Sequence, residues 1–188
     1  MLGDGLRRHS SVLELGYAYE SDRQLREQLQ AGWDREAAVE ELQQATQITE
    51  VEVLNELIDC GVRAESLHVL TLVPLVHVAW ANGYLERGER ETILQTAQEY
   101  GLNPEAYGFE ILTGWLKTRP DASLVKTWKD YIAAIRMVVS GDAFEALKDS
   151  TIVRAMAVAD SAGGYFGIGA VSKAEQSAID ELKAAFDM

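Results

Sequence analysis

Four oxygen-bearing side chains occupy matching places in this sequence. Asn82 follows Ala79-Trp80-Ala81, and Glu89 lies in the pattern Leu85-x-x-x-Glu89-x-x-x-Ile93. Asp160 follows Ala157-Val158-Ala159, and Glu175 lies in Val171-x-x-x-Glu175-x-x-x-Ile179. Each copy reads as an apolar helix ending in an Asx residue, then a loop, then a helix with a glutamate in its first turn. Across such a turn the Asx and the Glu approach one another. With a pseudo-twofold relation between the copies, all four side chains would face one cleft. Hard divalent cations take carboxylate and amide oxygens, so the chemistry on offer is the binding of Ca²⁺ or Mg²⁺. The same residues also serve their own helices. A first-turn carboxylate complements the helix dipole, and Ser172-x-x-Glu175 is a capping box.

The other chemically capable residues point to less. His68 and His77 stand nine apart, on opposite sides of a straight helix, and cannot readily share a metal. Both are expected to be buried or half-buried. Cys60 is the only cysteine, so no intrachain disulfide can form, and it reads as a small buried hydrophobe near a helix end. Gly163, Gly164, Gly167 and Gly169 lack the preceding strand and the glycine order of a phosphate-binding loop, and read as an inter-helix loop. No Ser/His/Asp or Cys/His arrangement is legible, and carboxylate pairs alone occur in any acidic protein. An enzyme is therefore not expected.

The elements that must hold these residues are helices throughout. Residues 1–20 show no clear period, and a loose arm is expected there. Ser21-x-x-Gln24 is a capping-box pattern, followed by Leu25 and Leu29, with Gly32 as the stop. Asp34 is placed to cap a helix carrying Val39 and Leu42. Thr49-x-x-Glu52 predicts a capping box for a helix through Val53, Leu54, Leu57 and Ile58, ending at Gly61. From Leu67 to Ala81, eleven of fifteen residues are apolar and surround the whole circumference. This predicts a buried central helix, kinked where Pro74 removes a hydrogen bond. Asn103-Pro104 predicts the start of a helix bearing Tyr107, Ile111, Leu112, Trp115 and Leu116. Pro120-Asp121 begins another through Trp128, Ile132, Ile135 and Val139, with a break at Ser140-Gly141. Helix resumes through Phe144, Leu147, Ile152, Val153 and Met156, and the last helix buries Ile179, Leu182 and Phe186. No strand pattern survives, which predicts an all-α fold of about eight or nine helices with two pseudo-repeated helix–turn–helix units.

Composition narrows the partners. Over 188 residues the net charge is −13, which disfavours nucleic acid and anionic lipid and attracts cations and basic proteins. Residues 21–60 hold ten acids against three arginines. Glu52, Glu56 and Asp59 share one helical face there, either a solvated surface or a partner-binding one. No apolar run reaches the ~20 residues a bilayer needs, and Arg7-Arg8 is not followed by an apolar signal region. A cytoplasmic chain without membrane insertion is the expectation.

The stretch AWANGYLERGERETIL resembles the helix–Asp-Gly–helix signature of TerB-like tellurite-resistance domains, A-x-A-D-G-x-hydrophobic-x-x-x-E. The resemblance covers Leu67 to Gly101 and, more weakly, Ala155 to Phe186, where the glycine-rich insert lengthens the loop. It implies an all-helical fold of two similar halves, with acidic residues at the turns that bind a metal cation. It also implies membership of stress or tellurite-resistance assemblies, some of them associated peripherally with membranes. Carried over, the family's Asp falls on Asn82 and its Glu on Glu89, with Asp160 and Glu175 as second-copy equivalents. Asn82 departs from the pattern by losing a charge. The expected organisation is an arm over 1–20, an acidic helical segment over 21–61, and a TerB-like domain over 62–188 with halves at 62–118 and 121–188. The expected function is a non-catalytic TerB-like module holding a divalent cation through its turn carboxylates. The alternative is a metal-free scaffold that binds protein partners through the acidic N-terminal helices.

Overall fold

The computed structural model describes residues 34–162 and 171–188, and every regular element among them is helical. The N-terminal arm, the Ser21–Gln24 capping pattern, Leu25, Leu29 and the glycine-rich loop lie outside the described residues.

The first helical stretch, α1 at 34–46, turns Ala38 and Leu42 into the core and ends before Gln47, whose φ is +63°. Helix α2 (Val51–Asp59) buries Leu54 and Leu57. Its N-cap is Glu50, so the Thr49–Glu52 capping box does not form. Instead the Glu50 carboxylate accepts the Thr49 N–H at 3.2 Å. The stop at Gly61 is as expected. At φ +81° it lets its own N–H reach Ile58 O and the Val62 N–H reach Leu57 O, both at 2.9 Å, a Schellman ending.

The central apolar stretch differs from the single kinked helix expected. Ala64–Leu72 is a 3₁₀ helix of nine residues, and the α-helix α3 starts only at Val73 and runs to Ala79. Two features of the sequence account for this. In the 3₁₀ stretch Ser66, Val69 and Leu72 are all buried, a stripe with a period of three, the repeat at which 3₁₀ side chains eclipse. Pro74 falls in the first turn of α3, where a missing N–H costs nothing, so it begins a helix rather than bending one. The expectation of burial holds. In α3 only His77 is not fully buried, and His68 is also half-buried.

Around α3 pack α4 (Arg87–Glu99), α6 (Ala122–Val138), α7 (Gly141–Ser161) and α8 (Lys173–Phe186). Helix α5 (Tyr107–Lys117) lies on the 3₁₀ helix, and α2 lies on α6. Helix α4 packs on α7 while α8 packs on α3, so each hairpin lays its second helix against the first helix of the other. The caps follow the sequence. Asp121 accepts from the Ser123 N–H at 2.9 Å, Ser140 from Ala143 at 3.3 Å, and Ser172 from Glu175 at 3.2 Å. Asn103 instead caps a short turn, and α5 begins at Tyr107.

Trp128, Phe144 and Phe186 close the core edge-to-face, with ring centroids 5.7 and 5.5 Å apart along the chain of contacts. Four apolar residues in or next to the helices face outward: Tyr107, Val139, Val153 and Met156. Helix α7 buries Phe144 near its start and small residues, Thr151, Ala155, Val158 and Ala159, further along, where it packs on α3 and α4. Tyr107 lies over the α2 stop, where its hydroxyl donates to Gly61 O at 3.1 Å. Cys60, at the end of α2, is half-buried, and its thiol donates to Thr127 Oγ1 of α6 at 3.6 Å.

Candidate functional site: the two turns

The turn after α3 and the turn before α8 meet. Asn82 lies just beyond α3, half-buried, and its Nδ2 donates to Glu175 Oε1 at 3.0 Å across 93 residues of sequence. Its Oδ1 accepts the Tyr84 N–H at 3.1 Å, an Asx turn that fixes the amide before Gly83, where φ is +97°. Both polar ends of Asn82 are therefore engaged, one in its own turn and one in the other.

Glu89 and Glu175 do the same local work. Each is the third residue of its helix and reaches back to the N-cap: Glu89 Oε2 accepts the Glu86 N–H and Glu175 Oε2 accepts the Ser172 N–H, both at 2.7 Å. Both are buried, Glu89 completely and Glu175 to 2% exposure. The expected capping role of Glu175 is present in full. The corresponding role of Glu89 was not legible in the sequence, because its N-cap is Glu86, a residue type that rarely caps.

The second oxygens differ. Glu175 Oε1 holds the Asn82 amide, while Glu89 Oε1 is buried with no hydrogen-bond partner among the described residues. Desolvation by burial pushes the Glu89 carboxyl up to about 7, and the charges of Glu175 and Glu86 add to the rise against the lowering effect of the Glu86 N–H. At neutral pH this group is partly protonated. A carboxyl group that carries only part of a negative charge then sits beside Glu175.

Asp160 stands apart from the other three. It lies in the last turn of α7, exposed, and its side chain makes no hydrogen bond or ion pair to any described residue. The geometry thus brings together Asn82, Glu89 and Glu175 and leaves Asp160 in solvent. Among the described residues no group of three or more His, Cys, Asp or Glu side chains has the arrangement to hold a metal ion. Nor do the nearby arginines offset the turn carboxylates: Arg87 pairs with Glu91 at 2.7 Å, and Arg90 donates to Leu116 O. His77 Nε2 lies 3.1 Å from Glu181 Oε2, so this histidine has a local partner, as expected.

A second feature borders the acidic segment. Between α2 and α6 runs a groove lined by Glu50, Glu52, Glu56 and Asp130, with Val53 and Met137 among its apolar residues. Met137 is 79% exposed, and Val51 and Val138 are also exposed nearby in sequence. Among the described residues no single helix is long and apolar enough to cross a membrane. Set against known protein families, curated proteins and solved structures, the chain matches none.

Proposed function

We propose that this chain is a non-catalytic, TerB-like interaction module in which a hydrogen bond between the turns replaces a bridging cation. The observation that carries this reading is the 3.0 Å bond from Asn82 Nδ2 to Glu175 Oε1. Where the TerB-like signature has Asp, two carboxylates would face each other and need a positive charge between them. The amide supplies a donor instead, and joins the two hairpins directly. The matching glutamates in the first turns of α4 and α8, and the crossed packing of the two hairpins, support the two-halved architecture. The setting in a cytoplasmic stress or tellurite-resistance assembly rests on the sequence resemblance alone. A non-catalytic role is supported by where the most perturbed carboxyl sits. Glu89 is fully buried and lines none of the main cavities among the described residues. The partner that best fits is a basic protein segment along the α2–α6 groove, where four carboxylates flank exposed apolar side chains.

The cation-binding reading is the second, and the unpartnered Glu89 Oε1 favours it. One experiment separates the two: thermal shift with Ca²⁺, Mg²⁺, Mn²⁺ or Zn²⁺ against an EDTA-treated control. The amide-bridged module predicts no metal-dependent rise in the wild type. Asn82→Asp should melt lower than wild type in EDTA and regain stability with added metal in a concentration-dependent way. A metal-dependent rise in the wild type, lost in Glu89→Gln, would establish the cation reading instead.

A further inference from the structure

A cavity of about 500 Å³ opens where α3, α6 and α8 meet beneath the α5–α6 loop. That volume falls in the range of small-molecule sites, ~300–1,000 Å³. Its apolar wall includes Val73, Val76, Trp80 and Leu124. The Trp80 N–H already donates to Trp115 O at 3.0 Å, so the indole has no polar atom left to satisfy.

The charges around this cavity are unlike those elsewhere on the molecule. Arg119, Lys126 and Lys129 line it against Asp121 and Glu181, a positive balance in a chain of net charge −13. The α2–α6 groove, by comparison, is lined by four carboxylates, two of which, Glu56 and Asp130, share Lys126. Most of the charges in the cavity are already engaged. Glu181 is held by Lys129 at 2.5 Å and His77 at 3.1 Å, and Lys126 by Glu56 at 2.6 Å and Asp130 at 2.8 Å. Asp121 caps α6 through the Ser123 N–H. Arg119 alone among these cations has no ion pair or side-chain hydrogen bond with any described residue.

We propose that this cavity binds a small amphipathic monocarboxylate, with its acid head on the Arg119 guanidinium and its apolar body against Val73, Val76 and Trp80. A guanidinium presents two parallel N–H donors that match a planar carboxylate. A multiply charged anion fits less well, because the carboxylates of Asp121 and Glu181 line the same cavity. A cation or a neutral alkyl compound would leave Arg119 without a partner.

Octanoate, octanol and octylammonium share one alkyl length and differ in head charge, which makes them suitable probes. Binding is followed on the full chain by the ¹H–¹⁵N indole resonance of Trp80 and by calorimetric titration. The expected result is saturable octanoate binding that shifts Trp80, with octanol weaker and octylammonium weakest. Arg119→Gln should weaken octanoate about five- to tenfold without changing the melting temperature, since Arg119 is exposed and makes no contact that folding needs. Arg119→Glu should reverse the order of octanoate and octylammonium. Equal binding of the three probes would overturn the proposal, as would octanoate affinity unchanged by Arg119→Gln, or shifts confined to residues outside the cavity. Capture of an acidic peptide on these residues with no octanoate binding would identify a protein-docking surface and also overturn it.

Discussion

A carboxyl group with no surface in water and a second carboxylate nearby holds its proton to higher pH than a free one. Glu89 is such a group, and its titration is linked to folding. In the unfolded chain it titrates near 4.5, and in the fold burial raises this to about 7. Between those values the native state binds more protons than the unfolded state, so this contribution to stability declines as pH rises through that window. Below the window the contribution is whole, and above it is gone. Glu89→Gln keeps an oxygen for the Glu86 N–H and removes the ionisation. The variant should match wild type near pH 4.5 and exceed it at pH 8 by roughly 3 kcal/mol. Urea midpoints measured at both values check this, and parallel pH dependence in the two proteins would show that Glu89 does not titrate between them. At the same scale, the sequence showed which residues to compare but not their separate fates. Asn82, Glu89 and Glu175 gather because turn and cap geometry fixes each of them locally. Asp160 lies within a helix that continues past it to Ser161, so no turn swings it inward.

Most helix ends were legible from a cap or a glycine, although Thr49 and Asn103 cap no helix where the sequence suggests. Asp121, Ser140, Ser172 and Gly61 delimit elements where the sequence places them, because each acts through its own neighbouring backbone. The 3₁₀ segment was not legible. A stretch with apolar residues on every side has no polar face from which to read a period, and the difference between periods of 3.0 and 3.6 is lost. What survives that ambiguity is burial. Leu72, the last residue of the 3₁₀ helix, and Val76, within α3, are each 1% exposed. Leu72→Ala and Val76→Ala should each destabilise by ~1–4 kcal/mol, with the leucine costing more because it leaves the larger void. Urea midpoints unchanged in both would mean that this stretch is not the core. The outward turn of Val139, Val153 and Met156 was equally hidden, since helical spacing gives a face but not its neighbour.

A net charge of −13 on one compact set of helices makes the protein repel itself as well as other anions. Screening should relieve that repulsion, so the melting temperature should climb as NaCl is raised from low to physiological concentrations and beyond. The same charge predicts no sequence-independent retention of DNA or RNA at physiological salt. A gel shift in the low-micromolar range would contradict it, as would a melting temperature that falls with salt.

The contact between Cys60 and Thr127 has a practical consequence, because it spans the seam where α2 lies on α6. Burial raises the thiol pKa, and the charges of Asp59, Glu56 and Asp121 raise it further against the Thr127 hydrogen bond, so little thiolate exists near neutrality. Alkylation of this single sulfur should be slow until the seam parts. Its labelling rate is then a clock for local opening of the acidic edge, readable without any introduced probe. A basic ligand seated on that edge should slow the clock, and one bound elsewhere should leave it running at the same pace.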